Sequence, residues 1–118
     1  LHQRCWGRAK GYGFDESVAK AALETFTEAM DLVEDETVRL RVEKASMIAY
    51  RAAIEPVWDL KEGADLDPGR AKRLRPLVRR FFELCRKYNV TRVAHDPTLE
   101  SAHQRLKRIF GLQDTEEF

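Results

Sequence analysis

At 118 residues, with 43% hydrophobic and 35% charged side chains, the chain has room for one modest core and too much apolar content for a disordered segment. Six glycines and four prolines are too few for a turn-rich β-sandwich, and no apolar run reaches the ~18 residues of a membrane span. The net charge of +1 hides a strong polarity: residues 15–67 carry fourteen acids against six bases, and residues 68–92 carry nine bases against one acid.

These features and the spacing of apolar residues predict an all-α fold, a small bundle of about four helices. An antiparallel hairpin (16–34 and 37–60) packs on two further helices at about 70–88 and 97–110. Residues 1–14 have Gly7, Gly11 and Gly13 and no helical period, so they read as a linker or the tail of a preceding element. Trp6 and Tyr12 are placed to dock that stretch. Arg4, Arg8 and Lys10 occur without an apolar run, so no signal peptide is visible, and Leu1 in place of Met fits a piece of a longer protein.

Asp15 is an expected N-cap, and Phe14 can staple onto Ala19. Val18, Ala22, Phe26, Ala29, Met30 and Val33 then recur at helical spacing. The acidic run Glu34–Asp35–Glu36 breaks the pattern only briefly. So short a connection forces a hairpin, with Asp35 or Thr37 capping the second helix. Val38, Val42, Ala45, Ala49, Ala52 and Ala53 form one apolar side of that helix, and Leu40, Met47, Ile54 and Trp58 form another. Pro56, which lacks an amide donor, should kink or end it.

Residues 62–69 are the clearest loop, rich in Gly, Asp and Pro. The next seam is Leu74, Leu77, Val78, Phe81, Leu84, Cys85 and Tyr88. Pro76 is expected at its first helical position, with 70–75 as a separate turn, and Asn89 as a left-handed cap. Val90 to Val93 is β-prone but has no partner strand, so it reads as an extended connector. Asp96–Pro97 predicts a helix start, Leu99, Ala102, His103, Leu106, Ile109 and Phe110 an inward face, and Gly111 a stop. One domain then spans 15–112, and 113–118 is a frayed acidic tail.

The most visible candidate for an interaction surface is the basic third helix, with Arg70, Lys72, Arg73, Arg79, Arg80 and Arg86. Clustered guanidinium groups can neutralise phosphates, but they also suit a solvated face or pairing with the acidic hairpin. The near-neutral total charge and the lack of a recognised motif argue against nucleic acid. Trp6, Tyr12 and Trp58 are candidate platforms for stacking a sugar or a partner, and Tyr50 joins them, though core packing is the commoner fate of such rings.

Catalytic and metal chemistry find no pattern. His95 and His103 are eight apart across a helix start, His2 is remote, and Cys5 and Cys85 are far apart, which does not suit a tetrahedral zinc site. Cys85 on an apolar face reads as a buried thiol, although the even count leaves a pairing with Cys5 open. Ser17, Ser46 and Ser101 sit in helices without a strained turn, and Asp35 and Glu36 are better explained as caps than as an acid–base pair. The Gly-Tyr-Gly at 11–13 opens no strand–helix unit. No catalytic residue and no cofactor site is assigned.

Several segments carry a family likeness: Ala21–Glu24 through Glu28–Met30, Val38–Ala45, Arg80–Phe82 and the turn Asn89–Val93. Over about residues 14–94 the chain resembles the carboxy-terminal helical region of a large uncharacterised bacterial family of glycoside-hydrolase-like proteins. The barrels of that family are related to those of α-glucuronidases and hexosaminidases. The resemblance implies a non-catalytic accessory domain whose partner is an upstream catalytic domain of the same polypeptide or a second subunit, in an extracytoplasmic protein. None of the family's catalytic carboxylates falls on a position of this sequence, and the basic stretch at 70–80 is not a family feature. The alternative is an independent helical module that binds an acidic protein or nucleic acid through its basic third helix.

Overall fold

The computed structural model describes residues 16–61, 63–93 and 96–118, and these are all-α: helices α1 (Glu16–Leu32), α2 (Glu36–Ala53), α3 (Glu55–Trp58), α4 (Pro68–Lys87) and α5 (Leu99–Ile109). Asp15, Phe14 and the expected linker lie outside the described residues. The chain has two compact units, Leu1–Glu55 and Pro56–Phe118.

In the first unit α1 packs against α2 as the expected hairpin. Its turn is closed twice. Asp35 is the N-cap of α2, its carboxylate accepting from the Val38 amide at 3.1 Å, while the Arg39 guanidinium donates to the Val33 carbonyl at 2.9 Å. The first contact satisfies an orphan amide of α2 and the second holds the end of α1 beside it. Towards the other end of the hairpin, Ala19, Ala22, Ala49, Ala52 and Ala53 are buried, small side chains that permit close backbone approach. α2 ends at Ala53 because Pro56 has no amide for a carbonyl one turn back, and α3 restarts the helix for four residues. Arg51 of α2 bonds Glu55 of α3, and both side chains are buried.

In the second unit, Asp67 caps α4 by accepting from the Arg70 amide at 2.9 Å, and Pro68 takes the first helical position. The expected start at Pro76 is therefore corrected. Pro68 and Asp67 meet the same requirement earlier, and α4 runs unbroken through Pro76. Pro76 is tolerated inside because it is exposed, so water can serve the carbonyl it leaves unpaired four residues back. Asn89 has the left-handed φ of 56°, and the Val90 amide returns to the Cys85 carbonyl at 2.8 Å. Gly111 (φ 71°) does the same for α5, with the Leu112 amide on the Lys107 carbonyl at 2.9 Å. Both are Schellman endings, which suit Gly best and Asn next.

The expected start of α5 is also corrected. Thr98 is the N-cap, in a capping box with Ser101, and Asp96–Pro97 stays in the connector, where Val93 and Asp96 form an isolated bridge. Asp96 is engaged elsewhere. Arg105 grips its carboxylate with two bonds, Nε–Oδ1 at 3.2 Å and Nη2–Oδ2 at 3.0 Å. The same guanidinium donates through Nη1 to the carbonyls of Trp58 at 2.6 Å and Leu60 at 3.1 Å. One side chain thus joins α5, the connector before it and the end of α3.

The acidic tail differs from the frayed end expected. Phe118 is buried, stacked on Phe82 with ring centres 6.0 Å apart. Lys107 donates to the Asp114 carbonyl and Arg75 to the Glu117 carbonyl, each at 2.8 Å. An aromatic anchor and two cationic donors outweigh the chain entropy that the acidic composition suggested.

Arg105→Lys keeps the charge but loses the planar fork, and should lower the unfolding free energy by about 2–3 kcal/mol. Glu55→Ala removes a buried charge-assisted hydrogen bond to Arg51, and should cost about 1.5–3 kcal/mol. Urea unfolding followed by circular dichroism measures both; parent-like midpoints would contradict these roles.

Candidate functional site

α4 displays its cations by elimination. Leu74, Val78, Phe81, Phe82 and Cys85 occupy the buried side, so the basic residues between them fall outward. Lys72, Arg79 and Arg86 recur every seven residues and therefore form one ridge, all exposed. Arg70 and Arg73 are exposed near the start of α4, and Arg80 is half-buried. Arg79 and Arg80 lie 3.9 and 3.4 Å from the Glu83 carboxylate of their own helix, and Arg86 lies 3.9 Å from Glu100 of α5. The Arg79 and Arg86 pairs are long and solvated and leave those two charges available: the Arg79 side chain is 58% exposed and that of Arg86 48%.

The candidate stacking residues do not assemble. Trp6 and Tyr12 lie outside the described residues, and Tyr50 is half-buried. Trp58 is fully buried, edge-on to Phe81 at 5.6 Å and stacked near Phe82 at 6.0 Å, with the Arg105 guanidinium 5.6 Å over its ring. It has no face to offer a sugar, and its proposed stacking role is withdrawn in favour of a core one.

Burial disfavours the charged forms of two interior groups, His103 and Cys85. His103 lies edge-on to Phe82 at 4.8 Å and to Phe118 at 5.4 Å, and its Nδ1 has no hydrogen-bond partner. Burial lowers its pKa below the ordinary 6.5, helped by the nearby Arg86 charge. Burial pushes the Cys85 thiol up to about 11, against the opposing pull of Arg86. A thiol so placed is a poor nucleophile at neutral pH. Cys85 is a free thiol, while Cys5, His2 and His95 lie outside the described residues.

Other candidates serve the backbone. Ser46 donates to the Glu43 carbonyl, Ser101 completes the capping box, and Asp35 caps α2. Ser17 is exposed on α1. Among the described residues no cluster of three His, Cys, Asp or Glu side chains converges as a metal site.

The hairpin retains an apolar surface. Leu32 at the end of α1 is 82% exposed, and Val38 and Ile48 on α2 are each 42% exposed. Val38, Ala45 and Ile48, at spacings of seven and three, share one ridge of α2, and all three are exposed. Val38 and Ala45 thus part from Ala49, Ala52 and Ala53 of the same apolar side: the buried side of α2 is rotated towards Glu43, Ser46, Ala49 and Ala53. A wide apolar arc in the sequence does not specify which part of it is covered.

Comparison of the chain with protein-family models, with curated proteins and with solved structures found no match.

With His103 neutral in the fold, its stabilising contribution is present above pH 6.5 and lost as pH falls through the lowered folded pKa. Urea midpoints should therefore drop more on acidification in the parent than in His103→Phe. Cys85 should resist a disulfide reagent at neutral pH until urea unfolds the chain. Reaction at the rate of a free thiol would contradict its burial.

Proposed function

We propose that this chain is a non-catalytic helical docking domain, an accessory module of a larger carbohydrate-active protein. The observation that carries the docking role is the uncovered apolar surface of the hairpin, Leu32 with the Val38–Ala45–Ile48 ridge. Apolar side chains aligned on one ridge lower their free energy when a neighbour excludes water from them. The polar groups that would carry chemistry are engaged otherwise. Asp35, Ser101 and Thr98 close helix ends, Arg105 and Asp96 bind one another, and Cys85 and His103 are buried in neutral form.

The carbohydrate-active parent is supported by the resemblance over residues 14–94. On that reading the catalytic carboxylates belong to an upstream barrel, and the surface of the hairpin meets that barrel or a second subunit. The exposed cations of α4 favour a second mode of association, with an acidic macromolecule.

Two measurements test the reading. The gene upstream of Leu1 should continue as an open frame encoding a barrel domain; an initiator codon close by removes the parent. Leu32→Ser and Ile48→Ser should change the stability of the isolated chain by less than about 0.5 kcal/mol, as surface substitutions do. Destabilisation several times larger would assign these side chains to the fold and leave no docking surface.

A further inference from the structure

We infer that the basic ridge of α4 docks on the acidic face of α1 in a second copy of this chain. The ridge is Lys72, Arg79 and Arg86, three exposed cations at seven-residue intervals. At 1.5 Å per residue their side chains stand about 10 Å apart along the helix. On α1, Glu24 and Asp31 are likewise seven apart, Glu28 lies between them on the same side, and all three are exposed. Two helices laid side by side with the same repeat set carboxylates opposite guanidinium and ammonium groups in register.

Charge across the chain favours this occupant. Fourteen acids against six bases in residues 15–67 face nine bases against one acid in residues 68–92, yet the whole chain carries only +1. Two copies therefore approach without appreciable net repulsion, and each brings both halves of the contact. A nucleic acid, unlike a second copy, brings no cations for the carboxylates of residues 15–67. Leu32 lies beside Asp31 and one turn from Glu28, and its 82% exposure supplies apolar surface at the end of the acidic row. Exposed ion pairs are individually weak, so the association is reversible, concentration-dependent and screened by salt. It shares only Leu32 with the proposed docking surface, and its charged residues lie outside the Val38–Ala45–Ile48 ridge, so the charge variants test it separately from docking to a catalytic parent.

Sedimentation velocity of the full 118-residue chain tests it. At roughly 20 mM salt the mean sedimentation coefficient should rise with protein concentration, and at roughly 500 mM, where the Debye length is a few ångströms, it should not. The triple change Lys72→Glu, Arg79→Glu, Arg86→Glu should weaken self-association at least tenfold. So should Glu24→Lys, Glu28→Lys, Asp31→Lys. An equimolar mixture of the two variants, each helical by circular dichroism, should associate again. Should either triple variant fail to fold, Lys72→Glu alone and the salt series on the parent give the same reading. A chain that is monomeric at every concentration in low salt overturns the proposal, as does a folded triple variant that associates like the parent. A monomer that instead binds a single-stranded oligonucleotide with steeply salt-dependent affinity gives the ridge to nucleic acid and also overturns it.

Discussion

The guanidinium of Arg105 connects three stretches of the carboxy-terminal unit that no shared secondary structure holds together. It projects from α5, grips the Asp96 carboxylate on the connector, and donates to the carbonyls of Trp58 and Leu60 just past α3. The Asp96 side chain is nearly buried, and that of Arg105 largely so, so the charges are matched where water is scarce. The two carbonyls lie at and just past the end of a four-residue helix. A planar donor with five N–H groups can serve all these acceptors at once, and a lysine cannot.

Around that tether the aromatic side chains form one continuous cluster. Phe82 is its centre, in ring contact with Trp58, Phe81, His103 and Phe118. Phe110 reaches it through Phe118 at 5.4 Å. The cluster explains why the tail is held down despite its acidic composition, and why His103 stays neutral. Rings on both sides of the imidazole exclude water, and with the Arg86 charge outweigh the Glu100 carboxylate 3.9 Å from Nδ1. The same apolar surroundings keep Cys85 a thiol.

Charged residues in this protein divide into two populations with different work. Arg51, Glu55, Asp96, Arg105 and Lys107 point inward or lie half-covered and bond to side chains or carbonyls across turns. Lys72, Arg79, Arg86 and Glu24, Glu28 and Asp31 of α1 are exposed, and the pairs that Arg79 and Arg86 make are long and solvated. The first population stabilises the two units and the second is free to meet other molecules. Together with Leu32 and the ridge on α2, the outward population makes the surface of this domain, and not its interior, the place to look for function.

Helix type and several helix ends are local properties, and the sequence alone determined them. Asp35 before an apolar period, Asn89 and Gly111 after one, and Pro56 inside one each act through the backbone within a turn of themselves. The misplaced starts at Pro76 and Pro97 show where that reasoning runs short: several Asp–Pro and Thr–x–x–Ser signals competed, and Asp96 was drawn to Arg105 and away from the helix it precedes. Arg105 has a local sign, an arginine on the inward stripe with Ala102 and Ile109, but nothing in that stripe names its acceptors 45 and 47 residues away. Only tertiary structure decided which apolar ridge of α2 is left uncovered, that Trp58 is enclosed, and that Phe118 returns to the core. Those outcomes depend on burial against residues distant in sequence, and periodicity records an amphipathic face without recording what covers it.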